Sequence, residues 1–142
     1  MKGSCLCGSV EFNVSVIKNI YQCHCSLCRK QGGSASNTGT VVPIEQLEWI
    51  KGKDNIKSWV KESGFRSDFC SDCGSPVPNI LRGLSYYWIP VGTLEDGPFE
   101  IVANLYTGSK ASWGVVAPTG ERFETMPELK GFIALLSGNG HA

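Results

Sequence analysis

Seven cysteines stand in this 142-residue chain, and every one of them lies in a cluster. Cys5-Leu6-Cys7-Gly8 comes first. Cys23-His24-Cys25-Ser26-Leu27-Cys28 follows after 15 residues, and Cys70-Ser71-Asp72-Cys73-Gly74 after another 41. Seven is odd, so a pure disulfide framework leaves one thiol over. Met1-Lys2-Gly3-Ser4-Cys5 has no apolar segment to serve as a secretory signal. The expected compartment is therefore the reducing cytoplasm, where close cysteines mean metal or catalysis. Spacings of one or two residues let two thiolates from one turn reach the same ion. Soft sulfur ligands without a haem or ferredoxin signature favour zinc, with iron–sulfur as the minor alternative.

A closed zinc site takes four protein ligands, and a catalytic one keeps three and an open position. Four plus three uses all seven thiols. Two of the clusters end in glycine, which pairs Cys5, Cys7, Cys70 and Cys73 as a structural site. Cys23, Cys25 and Cys28 are left as a three-thiolate site, expected to be the catalytic one. The competing partition joins Cys25 and Cys28 with Cys70 and Cys73 as a zinc ribbon and leaves three spectators. His24 lies between two of these ligands. It is a candidate fourth ligand, a hydrogen-bond partner behind the site, or a packing residue. Arg29 and Lys30 follow Cys28; as cations they favour thiolates and offer contacts to an anionic ligand. His141 is expected to be solvated in the tail.

The rest of the sequence reads mainly as short strands. Val10, Phe12, Val14 and Val16 alternate with polar residues, as in a half-buried antiparallel strand. Further strands are expected over 34–42, 47–50, 56–60, 65–69, 76–81, 86–91 and 101–106. Turns such as Lys51–Asn55 and Glu95–Pro98 separate them. Seventeen glycines and seven prolines suit such a pattern better than a helical bundle. One helix is expected late, with Thr125 and Glu128 as a capping box, Pro127 in its first turn and Gly138 as its stop. Leu129, Phe132, Ile133 and Leu136 would form its apolar face. The length points to a single domain over 1–137 with a frayed tail at 138–142. A formal net charge of zero makes a poor general nucleic-acid binder. No stretch approaches the length of a membrane-spanning segment. Aromatics at strand positions, such as Trp49, Trp59 and Trp88, are expected in the core; Trp113, after the Gly108-Ser109-Lys110 turn, is a lesser candidate for a loop and pocket role.

Gly3-Ser4-Cys5-Leu6-Cys7-Gly8-Ser9-Val10-Glu11-Phe12 resembles the opening of the glutathione-dependent formaldehyde-activating (GFA) family, also called the CENP-V/GFA domain. Cys23–Lys30 with Gly32 and Gly33 is similar to its central motif. Arg66, Phe69–Gly74 and Gly92–Asp96 resemble its later blocks, and Ser112-Trp113 with Phe123–Pro127 resembles its ending. The fourth block departs from the family's frequent aspartate, with Glu95 in its place.

The resemblance implies a mostly β fold, a β-tent of antiparallel sheets, here with one short C-terminal helix. It implies two zinc ions per chain: a structural one on Cys5, Cys7, Cys70 and Cys73, and a second at a proposed active site on Cys23, Cys25 and Cys28. It also implies carbon–sulfur lyase chemistry, the reversible joining of formaldehyde and glutathione to S-hydroxymethylglutathione. In that reading His24 or water supplies a proton, and Arg29 and Lys30 bind the thiol peptide's carboxylates. Arg66 and Arg82 are weaker candidates, expected to be solvated or paired. The alternatives are a non-catalytic zinc module that binds a protein partner and a chromatin-associated protein. Neutral charge argues against the last.

Overall fold

A computed structural model describes residues 1–81 and 83–138. Arg82, His141 and the rest of 139–142 lie outside the described residues. Among the described residues the strands and helices in chain order are β1 (Lys2–Ser4), β2 (Glu11–Val14), β3 (Asn19–Cys23), α1 (Ser26–Gly32), β4 (Asn37–Pro43), β5 (Leu47–Lys51), β6 (Ile56–Val60), β7 (Arg66–Cys70), β8 (Asn79–Ile80), β9 (Tyr86–Pro90), β10 (Glu100–Leu105), β11 (Glu121–Arg122) and α2 (Leu129–Ser137). The protein is mostly β, with antiparallel ladders and a short C-terminal helix, as the sequence led us to expect.

The chain forms two compact units, each made of two separated segments. The first contains Met1–Ile17 and Val41–Gly97. Its first sheet has the antiparallel order β1-β2-β5. The period-two pattern of β2 turns Phe12 and Val14 inward and leaves Glu11 and Asn13 half-buried. Phe12 meets the Trp49 ring edge-on at 5.9 Å, and Trp49 meets Tyr87 at 6.0 Å. The β6–β7 hairpin pairs Ile56 with Cys70 and Val60 with Arg66, and β8 pairs with β9. Cys5, Val10, Cys70 and Val77 form a buried cluster against which Trp49, Ile56 and Cys73 pack. Trp59, expected in the core, is instead 56% exposed. It sits on β6, whose residues from Lys57 onward are all exposed. A two-stranded hairpin leaves both faces of this stretch open to solvent, so strand position alone does not bury a ring.

The second unit contains Lys18–Thr40 and Pro98–Ala142. Within it β3 pairs antiparallel with β4 (Tyr21 opposite Gly39, Cys23 opposite Asn37) and parallel with β10 (Leu105 opposite Cys23). β11 also runs parallel to β10. Parallel neighbours need a long crossover connection, and the whole of 24–99 separates β3 from β10. α2 docks through Phe132, whose ring stands edge-on to Tyr21 at 4.9 Å, with Asn19 Nδ2 donating to the Leu135 carbonyl at 3.4 Å.

Two expectations about α2 need correcting. Its N-cap is Glu128, without a side-chain cap, and Thr125 and Pro127 precede the helix. The carbonyls of Phe123, Glu124 and Thr125 instead accept from the backbone of Thr107, Gly108 and Tyr106. That pairing holds 123–125 outside the helix, and Pro127 disfavours helical geometry at Met126. The buried face is Phe132, Leu135 and Leu136, while Leu129 is exposed.

Candidate metal centres

In the first unit the Cys5–Gly8 turn joins β1 to β2, and the Cys70–Gly74 turn follows β7. Gly8 and Gly74 adopt φ of 80° and 78°, the left-handed conformation in which each turn closes. Gly8 N–H then donates to the Cys5 carbonyl at 3.2 Å, and Gly74 N–H to that of Cys70 at 2.8 Å. The four sulfurs of Cys5, Cys7, Cys70 and Cys73 all lie within 4.8 Å of one another. Cys5 and Cys7 are 3.7 Å apart, and Cys7 and Cys70 3.8 Å. Four thiolates about 2.3 Å from a tetrahedral zinc stand about 3.8 Å from each other. The donor set and its spacing fit that ion.

A polar web surrounds these sulfurs. Ser9 Oγ lies 3.1 Å from the sulfurs of both Cys7 and Cys70. Asn55 Nδ2 donates to Ser9 Oγ at 3.2 Å and to Asp72 Oδ2 at 2.9 Å. Ser75 Oγ accepts from Leu6 N–H at 2.9 Å and lies 3.3 Å from Cys73 Sγ. The Ser75 hydroxyl pulls the Cys73 thiol down to about 5. Burial works against ionising Cys5, yet the Val10 N–H donating to its sulfur at 3.3 Å helps hold the thiol below its ordinary value. Neither serine nor Asn55 was singled out from the sequence. The signal for the serines is the repeated Cys-Gly-Ser at 7–9 and 73–75; Asn55 carries none.

In the second unit the other three thiols converge. Cys23 closes β3, Cys25 is the N-cap of α1, and Cys28 sits in its first turn. Cys25 Sγ accepts from Cys28 N–H at 3.4 Å. All three sulfurs lie within 4.8 Å of one another, and no other histidine, cysteine or carboxylate among the described residues joins them. The cysteines thus group four and three, and the zinc-ribbon pairing does not form. Ionisation is divided unequally in this trio. Shared contacts with Cys23 and then Cys28 pull Cys25 down to about 2, while its contact with Cys25 pushes Cys23 up to about 11. Cys23 and Cys25 push Cys28 up as well. Three thiolates this close ionise together only around a cation, so this group too fits zinc, one ligand short of a closed site.

His24 is fully buried. Its N–H donates to the Leu105 carbonyl at 2.9 Å, but neither ring nitrogen has a hydrogen-bond partner among the described residues. Burial lowers the imidazole's pKa, against the pull of the neighbouring Asn104 side chain. Asn104, another residue the sequence did not flag, is itself fully buried with its Oδ1 unpartnered. Arg29 and Lys30 lie on α1. Arg29 is half-buried, its Nε buried and without a partner among the described residues, and Lys30 is exposed. Trp113 is 67% exposed. Its neighbour Gly114 donates its N–H to the Ala111 carbonyl at 2.9 Å in the turn that carries the ring.

Both sulfur groups fall within residues 1–109, and this stretch matches the family model described as "Glutathione-dependent formaldehyde-activating enzyme". The chain belongs to the GFA family. A crystal structure of a Rhodobacter sphaeroides protein is similar to this GFA chain, with 26% sequence identity and a TM-score of 0.57. The likeness covers 68% of this chain and 90% of that one. No helix among the described residues of this GFA protein is long and apolar enough to cross a membrane.

Proposed function

We propose that this protein is a zinc-dependent carbon–sulfur lyase of the GFA type. It would reversibly join formaldehyde, or a related small aldehyde, to glutathione or a similar thiol. The observation that carries the reading is the trio of Cys23, Cys25 and Cys28 at a strand end and helix start, with no fourth protein ligand among the described residues. Cys5, Cys7, Cys70 and Cys73 hold the structural zinc in this reading. A zinc ion at the trio would lower the pKa of an incoming thiol and favour its thiolate.

The chain's own residues do the rest. Lys30, exposed on α1, binds the thiol peptide's carboxylates, with the half-buried Arg29 adding positive charge beside it. The thiol's proton leaves to solvent, and a sulfur–carbon bond forms as the carbonyl π pair moves onto oxygen. That oxygen takes one proton from water. His24 has no solvent face, so we assign its imidazole to packing behind the trio rather than to proton transfer; the Leu105 contact that holds the end of β3 comes from its backbone N–H. The reverse reaction breaks the same bond and returns the thiol.

The test is formation of the thiol adduct from glutathione and formaldehyde by zinc-loaded protein, measured above the uncatalysed rate. Cys25→Ser is expected to abolish the excess rate and reduce zinc from two ions per chain to one. Serine still caps α1, so the melting temperature should stay within a few degrees. Cys73→Ser is expected to unfold the chain. No excess rate from protein carrying two zinc ions would overturn the founding reaction, and one tightly held zinc would favour a non-catalytic module.

A further inference from the structure

The first unit contains a cleft of about 260 Å³ that the proposed chemistry leaves unused. Its floor is built by the β6–β7 register, which sets Ser58 opposite Asp68. Arg66 lies two residues before Asp68 and so faces the same side of the strand. Asp68 is 7% exposed, and a carboxylate so buried needs a partner. Arg66 Nε supplies it at 2.8 Å, while Nη2 donates to Ser58 Oγ at 3.1 Å. Two of the three guanidinium nitrogens are thereby fixed. Nη1 has no partner among the described residues, and the side chain remains 41% exposed.

Other donors converge on the same cleft. Lys53 lines it and has no ion pair among the described residues. Tyr87 Oη accepts from Trp49 Nε1 at 3.1 Å, which leaves its own O–H free to donate. Asn79 is 5% exposed, lines the cleft, and has no side-chain hydrogen bond among the described residues. Among the described lining residues the one carboxylate is already neutralised by Arg66, which leaves one net positive charge on Lys53. Trp49, Ile56, Pro78 and Ile80 supply apolar walls.

We propose that this cleft binds a compact oxyanion, a carboxylate or a phosphate, carried on a small apolar group. A guanidinium held at two of its nitrogens loses little freedom when it grips an oxyanion. Lys53 adds charge, the Tyr87 hydroxyl and Asn79 amide add direction, and the Trp49 ring takes the apolar body. The volume lies below the ~300–1,000 Å³ usual for drug-sized ligands, which limits the occupant to a small molecule. The site stands on the first unit alone and does not depend on the lyase reading.

The test uses the ¹⁵N-labelled, zinc-loaded full chain, titrated with benzoate and with phenyl phosphate at constant ionic strength, against sodium chloride. The Arg66 Nε–H and Trp49 Nε1–H resonances are expected to shift saturably with one or both oxyanions. Saturation by benzoate alone assigns carboxylate, by phenyl phosphate alone assigns phosphate, and by both assigns the shared oxyanion chemistry. Arg66→Met should weaken binding at least tenfold. It also leaves Asp68 buried and unpaired, so Lys53→Met, at an exposed and unpaired position, provides the second variant and should weaken binding about threefold. Shifts that grow linearly, or match those with chloride, overturn the proposal. So does unchanged affinity in Lys53→Met together with unchanged affinity in any folded Arg66→Met protein.

Discussion

At the scale of single residues, the four-sulfur group depends on atoms that are not sulfur. Ser9 Oγ bridges Cys7 and Cys70, and the Ser9 backbone sits directly against Gly52. Gly52 has φ of 79°, and a Cβ there would run into the Ser9 carbonyl and the Val10 backbone. Gly52→Ala therefore combines left-handed strain with a collision against backbone. It is expected to destabilise the fold by on the order of 3 kcal/mol, read as a lower urea midpoint. The exposed Leu6, at 87%, sits in the same turn as Cys5 and Cys7. Leu6→Ser should change the stability read from the same urea titration by no more than about 0.5 kcal/mol.

At the scale of elements, legibility followed periodicity and burial. β6 matches its expected span of 56–60, and β2 falls within the alternating Val10–Val16 stretch. β3 was missed because Ile20 and Tyr21 are both buried in succession. A strand covered on both faces loses the alternation that betrays a half-exposed one. α1 was missed because seven residues with no buried side chain offer no apolar stripe. Its start is written in Cys25, a thiol acting as cap, which composition does not announce. The expected strand at 76–81 shortens to β8, Asn79–Ile80, with Pro76 joining only through an isolated bridge to Phe69. Pro76 and Pro78 lack the N–H that would extend that ladder. α2 depends on one aromatic contact more than on its cap. Phe132→Ala removes the ring that meets Tyr21 and should cost about 3–5 kcal/mol. Amide exchange is expected to speed up first across Leu129–Ser137.

For the whole molecule, the ligands are easier to read from the sequence than their grouping. Spacing alone allowed both the four-plus-three partition and the ribbon; the fold decides between them by bringing residues 63 apart to 3.8 Å. The two groups should part with metal differently. A closed four-thiolate cage exchanges slowly, and a three-thiolate site presents an open face to a competing ligand. With a chromogenic chelator, zinc release is expected in two phases of about one ion each, only the slow one accompanied by unfolding. A single phase, or unfolding during the fast one, would show that both groups serve the fold.

The sequence distance across the cage also sets a timetable. Cys23, Cys25 and Cys28 leave the ribosome almost together, whereas Cys7 precedes Cys70 by 63 residues. At roughly 5–20 residues per second, the first pair waits on the order of several seconds for its counterparts. During translation, the vacancy-bearing trio can gather its ion while half of the enclosing cage is still unmade.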